Sequence, residues 1–296
     1  MKQEKVSRLY YLALFLMMSV YFVVTMGGLV TSHEAGLAVP DWPLSYGQWM
    51  PPMIGNIFWE HGHRVIAGLT ALLTLLTAVL LQFSKESGWI KRLAWFAVAM
   101  VVIQAVLGGV TVLLLLPAMT SILHACLGQT FFCIAIALAY YLSRSSREAV
   151  LNPEESKRLK KLAIMTFAFI YVQLILGASV RHTHHLHVAY LHMLFALFVV
   201  VHVLLLILKI SHFHLKEKSL LAPAILMGVF TVLQILLGVG SFVTTLMLER
   251  TTASPPLMEV ALTAAHQSMG ALILGLAFYL VIKILQTPAE IMQPKK

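Results

Sequence analysis

The chain alternates between long apolar runs and short polar segments. Eight of the runs are long enough to cross a bilayer as a helix, which takes about 20 residues. They are continuous in Leu, Ile, Val and Phe, whereas a membrane barrel would alternate apolar and polar positions, so the pattern favours helices. The predicted spans are residues 9–31, 63–82, 93–116, 121–142, 162–180, 188–210, 220–246 and 257–285.

Composition narrows the class of protein further. Of 296 residues, 59% are hydrophobic and only 11% are charged, with a mean hydropathy of +0.86. Soluble domains have about a quarter of their residues charged, so the composition excludes an ordinary soluble globule, a disordered chain and a nucleic-acid-binding domain. The first run lacks a small-residue cleavage site and is expected to stay as a helix. The sequence therefore predicts an all-α integral membrane protein with eight transmembrane helices.

The basic pI of about 9.6 reflects topology rather than a nucleic-acid partner. Of the 21 Lys and Arg residues, all but three fall at the termini or in the loops on the same side of the membrane as the termini. The three exceptions are Arg64, Arg181 and Arg250. By the positive-inside rule, both termini are expected in the cytoplasm and the protein in the cytoplasmic membrane.

Short motifs recur between the two halves of the chain. Because each half holds an even number of spans, the halves are expected to be parallel, pseudo-symmetric four-helix bundles. The predicted domains are an N-terminal bundle at 1–142, a cytoplasmic linker at 143–161 and a C-terminal bundle at 162–296. The matching residues are Gly27 and Gly177, Gln104 and Gln234, Gly108 and Gly238, His63 and His192, and His124 and His266.

Four of the 13 histidines stand once on each even-numbered span, near the outer end: His63, His124, His192 and His266. Facing imidazoles from two helices suit axial ligation of a haem iron, with a structural or proton-relay role as the alternative. Their common depth indicates two side-by-side sites rather than haems stacked across the bilayer. Zinc is disfavoured because each half offers two imidazoles and no nearby thiolate. Structural or solvated roles are expected for His33, His61, His202, His212 and His214.

One acidic residue distinguishes the halves. Glu60 lies three residues before His63 and shares its helix face, and nothing acidic precedes His192. Such a carboxylate could move protons or stabilise a developing cation, or could merely favour a helix N-terminus. The asymmetry suggests that the first half carries out chemistry and that the second holds a permanent cofactor.

Together these motifs resemble the haem A synthase family, which oxidises haem O during cytochrome oxidase assembly. The matching stretches are Gly27–Thr31 leading into Ala35–Leu44, Glu60-His61-Gly62-His63-Arg64, Leu123-His124, Gly177–Thr183, and the helices bearing His192 and His266.

The resemblance implies a division of labour between the histidines. His192 and His266 would be the axial ligands of a haem b, while His63 and His124 would flank the iron of the substrate haem. Glu60 would be the catalytic carboxylate as the C8 methyl of haem O becomes the formyl group of haem A, by successive hydroxylations and loss of water. Haem O synthase and an electron donor are the implied partners.

Several features depart from the family or extend it. Many members carry paired cysteines in the outer loops, but the first outer loop here has none; Cys126 and Cys133 lie on the fourth span, where we expect them to pack. We expect Arg64, Arg181 and Arg250 to include partners of the haem propionates. The loop around Asp41 is either a rigid turn or a lid or docking surface. The cluster of His182, His184, His185 and His187 is a helix lead-in, a metal-binding surface or a point where electrons arrive, and His187 competes with His192 as a ligand.

Two other functions remain open on the residues alone. One is a non-enzymatic dihaem b-type electron carrier, and the other is a transporter or haem exporter, since parallel repeats also build transporters. Glu60 separates the first from the synthase, because a carrier has no use for that carboxylate. The prenyl transferase that makes haem O is disfavoured, since Asp41 is the only aspartate and paired Asp-rich motifs are impossible.

Overall fold

The structure is a computed structural model that describes residues 8–143, 153–214, 218–249 and 251–286. These residues form eight long α-helices and, after the seventh, a π-helical turn at Val243–Met247. The helices are α1 (Arg8–Ser32), α2 (Gly55–Gln82), α3 (Gly88–Leu113), α4 (Ala118–Leu142), α5 (Pro153–Thr183), α6 (Leu186–His214), α7 (Lys218–Phe242) and α8 (Leu257–Gln286).

All eight helices are long and apolar enough to cross a membrane. The predicted class, an all-α multi-pass membrane protein, is confirmed. The pseudo-symmetry of the two halves and the cytoplasmic position of the termini stay predictions.

Two helices begin earlier than their apolar runs predict. Helix α2 begins at Gly55 rather than at residue 63, and α5 begins at Pro153 rather than at 162, so much of the predicted linker is helical. Proline suits the first helical position because its fixed φ matches the helix and its missing N–H is not needed there. The first turns of both helices contain few aliphatic residues, so a hydropathy pattern does not detect them. The rest of the linker, 144–152, lies outside the described residues.

The chain groups into two compact units. The first contains the described parts of 1–144 and 236–271, and the second contains those of 145–235 and 272–296. In the first unit, α1 packs on α2 and α4, and α3 packs on the same two helices, which closes a four-helix ring. In the second unit, α5 packs along α6. The division into domains at 143–161 stays a prediction.

The start of α8 joins the first unit through polar contacts with α1. The hydroxyls of Ser32 and Thr263 lie 2.8 Å apart, both buried, and Gln267 donates a hydrogen bond from Nε2 to the carbonyl of Val24 at 3.2 Å. Gly28 admits the Gln267 side chain, since a Cβ there would lie 2.8 Å from its Nε2. Small and hydroxyl residues thus bring the two helices close together, as is common between membrane helices.

Candidate functional site

Each of the four predicted ligand histidines packs its imidazole against a glycine of the preceding helix. His63 lies against Gly27 and His124 against Gly108 in the first unit, and in each case Cε1 is the nearest ring atom. A Cβ on these glycines would lie 3.3 and 2.9 Å from that atom. The pairs Gly177–His192 and Gly238–His266 repeat the contact at 3.0 and 2.8 Å. The glycines of the internal repeat therefore make room for imidazole rings as well as for neighbouring backbones. We call each of these glycines, with the imidazole that packs on it, a glycine cradle.

His63 and His124 also share a hydrogen-bonding pattern. Each ring hydrogen-bonds with the backbone of the residue four positions before its glycine, Val23 for His63 and Gln104 for His124. Their Nδ1 atoms are buried and have no hydrogen-bond partner within the described residues. The two rings stand on α2 and α4, which lie opposite each other in the four-helix ring. One fixed nitrogen and one unused nitrogen are what a metal-bound imidazole needs.

Glutamine side chains support the ligand helices in both units. Gln104 on α3 donates from Nε2 to the carbonyl of His124 at 2.7 Å, and Gln173 on α5 donates likewise to the carbonyl of His192 at 2.9 Å. The Gln173 amide also lies 3.4 Å from Nε2 of His192. The repeat pointed to Gln104 but not to Gln173, because the position matching Gln173 in α1 is occupied by Val23.

Glu60 is buried in the first turns of α2, with both carboxylate oxygens engaged. Oε2 accepts a hydrogen bond from the amide N–H of Val39 at 2.7 Å, and Oε1 lies 2.5 Å from Nη2 of Arg64. The side chains of Glu60 and Arg64 are only 5% and 15% exposed. The carboxylate is therefore held at both oxygens, by a guanidinium on one side and by a backbone N–H on the other.

The loop between α1 and α2, residues 33–54, folds around Asp41. Its carboxylate accepts hydrogen bonds from the amides of Tyr46 and Gly47 at 2.7 and 2.8 Å, and both of those residues have left-handed backbone, with φ of 54° and 69°. The pair forms the tip of a tight turn closed by hydrogen bonds between Ser45 and Gln48. The bond from Gly47 is the largest influence that holds the pKa of Asp41 below its ordinary value of 3.8.

The same loop reaches α3 beside the His124 contact. The indole of Trp42 lies on Gly109, where a Cβ would stand 2.5 Å from Cδ2 of that ring. Gly109 follows directly on Gly108, which carries the His124 ring. The loop therefore touches Glu60 on α2 and the neighbour of the His124 cradle on α3. The sequence analysis noted the Gly108-Gly109 pair. It did not predict that the Trp42 indole would pack on Gly109.

Three of the five histidines expected to be structural or solvated, His33, His61 and His202, have hydrogen-bond or ring-packing partners. Nδ1 of His61 lies 2.8 Å from the Ser45 hydroxyl, and His33 stacks on Trp59 with ring centroids 4.1 Å apart. His202 lies 4.3 Å from the ring of Phe169 and 2.8 Å, at Nδ1, from the carbonyl of Phe198.

The remaining predicted site residues are more scattered. Arg181 lies half-buried in the last turn of α5, and Arg250 falls outside the described residues. In the α5–α6 connection, His185 and His187 are exposed and stack with centroids 5.2 Å apart, whereas His192 is half-buried. Across the described parts of the chain, no three His, Cys, Asp or Glu side chains form a group that could hold a metal ion.

The residues present fit a haem in the first unit. A flat macrocycle with axial imidazoles needs ligands from opposite helices of a bundle, and His63 and His124 occupy such helices. Their Nδ1 atoms are buried and have no hydrogen-bond partner within the described residues. Ligation of iron, with a rotation of the ring where needed, would give these nitrogens a partner. The glycine cradles fix where each ring can stand.

Comparison with known proteins agrees with this geometry. Residues 54–190 match the family model described as "Cytochrome oxidase assembly protein". The chain is 31% identical over 170 residues to the "Heme A synthase" of Symbiobacterium thermophilum, covering 54% of each protein. It is 26% identical over 171 residues to that of Alkalihalophilus pseudofirmus, covering 55% of this chain and 56% of the relative. For the enzyme of Exiguobacterium sp. the values are 28% over 173 residues, 57% and 56%.

The matched segment spans about half the length of these curated relatives. It includes Glu60, His63, Arg64 and His124, the residues assembled around the first-unit site. Over these stretches the chain is similar to cytochrome oxidase assembly proteins and to proteins named heme A synthase.

Proposed function

We propose that this protein is a haem A synthase, which oxidises the C8 methyl of haem O to a formyl group by successive hydroxylations and loss of water. The observation that carries the proposal is the Glu60 carboxylate, buried and paired, one turn before His63 in a bundle that also presents His124. A protein that only passes electrons between two haems has no use for a buried carboxylate beside one ligand.

The first unit supplies the substrate site of this proposal. His63 and His124 would hold the iron of haem O, and each of their imidazoles packs against a glycine of the preceding helix. As the resemblance implies, His192 and His266 would hold a haem b, and each of these imidazoles packs against a glycine in the same way. When bound, haem b supplies one-electron chemistry.

Glu60 acts through its charge. Both oxygens already accept hydrogen bonds from strong donors, so the carboxylate is held in position to face positive charge that develops on the reacting carbon. Proton relay, the other role open to a carboxylate, is less suited to a group fastened at both oxygens. Arg181, on α5, and Arg250 are the arginines we propose as partners of the haem b propionates.

The apolar character of the substrate indicates the membrane location and the partners of the protein. Haem O is apolar and membrane-bound, so we propose that it passes from haem O synthase to this protein within the cytoplasmic membrane, with both termini in the cytoplasm. An electron donor completes the set of partners. The eight apolar helices supply the lipid contact.

The deciding experiment expresses the chain together with a haem O synthase and identifies the extracted haems by chromatography with mass detection. We expect haem A and its hydroxylated intermediate. In Glu60→Gln these products should fall by roughly two to three orders of magnitude, because one charge aimed at the transition state is lost. Haem B content should stay normal, since Glu60 is not one of its ligands.

A matched control is Glu86→Gln, which removes a carboxylate from the segment between α2 and α3 and should leave the products unchanged. If folded wild-type protein with an active electron supply contains haem B and leaves haem O unconsumed, the chain is a dihaem carrier instead. If it binds no haem at all, the assignment of the four histidines is wrong.

A further inference from the structure

Arg64 points its guanidinium into the protein. It donates from Nη1 to the carbonyls of Asp41 and Leu44 at 2.7 and 2.9 Å, and from Nη2 to the carbonyl of Val39 at 3.2 Å. Nη2 also meets Oε1 of Glu60 at 2.5 Å, and the Ser45 hydroxyl lies 3.4 Å from Nη1. A guanidinium has five N–H donors, four of them on these two nitrogens. Those four are directed at the protein's own oxygens.

Together with Glu60, the proposed catalytic residue, these contacts form a closed ring of hydrogen bonds. Val39 donates its amide N–H to Oε2 of Glu60, while its carbonyl accepts from Arg64, which in turn binds Oε1 of Glu60. The carboxylate is thus fixed at both ends by one arginine and one loop residue. Moving the loop at Val39 would separate its amide N–H from Oε2 of Glu60 and its carbonyl from the Arg64 guanidinium.

The loop segment 38–48 is itself stiff enough to transmit this constraint. Asp41 binds the amides of Tyr46 and Gly47, and the Tyr46 hydroxyl donates to the carbonyl of Ala38 at 2.5 Å. Ser45 is tied to His61, the neighbour of Glu60 on α2. Both parts of the segment, Val39 and Leu44-Ser45, are therefore joined to α2 by hydrogen bonds.

We propose that Arg64 is a positioning residue of the haem-oxidising site rather than a haem propionate partner. It fastens loop segment 38–48 to α2 and thereby orients the Glu60 carboxylate beside the His63 and His124 cradles. This inference rests on the proposed function for its catalytic consequence, but the fastening of the loop can be tested without any turnover.

Lysine is the informative replacement at this position. Arg64→Lys keeps the positive charge, but an ammonium has three donors on one atom and cannot span the carbonyls of Val39, Asp41 and Leu44 together with Glu60. If only charge mattered, lysine would serve. If position matters, the loop loosens and Glu60 loses its alignment. The matched control is Lys91→Gln, because Lys91 fastens another connection by donating to the carbonyls of Gln82 and Ser84 at 3.0 and 2.8 Å.

The first measurement is hydrogen–deuterium exchange of the detergent-solubilised protein. In Arg64→Lys, segment 38–48 should exchange at least about tenfold faster, since its shared cation is lost, while the Lys91→Gln protein should retain wild-type exchange there. Unchanged exchange in Arg64→Lys would overturn the proposal whether or not the chain oxidises haem O.

The second measurement is a double-mutant cycle on haem O oxidation. Arg64→Lys should lower turnover by roughly a hundredfold, as expected for a misplaced catalytic group, with little change in the KM for haem O. In the Glu60→Gln background it should add nothing, because the residue it positions is already gone. A raised KM together with independent, multiplying effects would instead identify Arg64 as a propionate ligand. Absence of turnover in the wild type would refute the proposed function, while the exchange result would still decide the role of Arg64 in the loop.

Discussion

The glycines opposite the four histidines differ in how closely they admit the imidazole. Gly238 and Gly108 leave the least room, with 2.8 and 2.9 Å between a Cβ position and the ring, and Gly27 leaves the most, with 3.3 Å. Real Cβ atoms are almost never found nearer than about 3 Å to another side chain, because dense packing leaves no overlap. The position of the imidazole therefore depends most on the absence of a glycine side chain for His266 and His124, and least for His63.

Replacing Gly238 with alanine is expected to lower retention of haem b. The new methyl would stand 2.8 Å from Cε1 of His266 and force the ring aside. Overpacking of this kind costs about 1–3 kcal/mol, which corresponds to a loss of affinity of roughly five- to 150-fold. Pyridine haemochrome spectra of the purified protein measure the haem b content per chain.

The control for this change is Gly88→Ala, because a Cβ at Gly88 has no atom within 4 Å. Alanine at Gly238 favours the helix itself, so a lower haem content cannot come from a weaker α7. Full haem b content and an unchanged spectrum in Gly238→Ala would contradict the assignment of His266 as a ligand.

At the scale of elements, the hydropathy pattern predicted every membrane helix but not all of their starts. Gly55–Gly62 and Pro153–Lys161 contain one aliphatic residue each, Ile57 and Leu159, so their helical character depends on the helices that continue them rather than on an apolar stripe. The contacts of Arg64 were beyond prediction because its acceptors lie 20 to 25 residues away on an irregular loop. The Glu60–His63 spacing, by contrast, needs only the helical period, and it was predicted.

The turn at the tip of the α1–α2 loop is expected to loosen only in strong acid. Because its pKa is lowered in the folded loop, Asp41 stabilises the turn above its ordinary pKa of 3.8, and this contribution disappears as the pH falls through the lowered value. A spin label on Gln48→Cys should therefore keep its mobility from pH 7 to about pH 4 and become more mobile below it.

Asp41→Asn is the comparison for this experiment. The amide keeps an oxygen for the N–H groups of Tyr46 and Gly47 but has no charge to lose, so the label should be more mobile at neutral pH and insensitive to acid. Labelling at position 48 is selective because Cys126 and Cys133 are both buried. An equal response to acid in both proteins would show that another group controls the turn.

At the scale of the whole molecule, the distribution of Lys and Arg predicts the orientation of all eight helices. A green fluorescent protein fused to the C-terminus should fluoresce, since that end is expected in the cytoplasm. Alkaline phosphatase fused after Thr252, between α7 and α8, should be active because that connection is expected on the opposite side. The reverse pattern would invert the topology and put the His63 and His124 end of the first unit at the cytoplasmic face.

The α1–α2 loop is fastened to α2 by hydrogen bonds and an ion pair, and the chain's two cysteines are unpaired and buried in α4. The attachment of the loop to α2 is therefore reversible. Its hydrogen bonds and ion pair break and re-form at thermal rates, and no covalent step has to come first. Maturation of this half is independent of the thiol–disulfide machinery of the cell. We therefore expect temperature and competing hydrogen-bond formers, rather than redox state, to determine how firmly this loop holds Glu60.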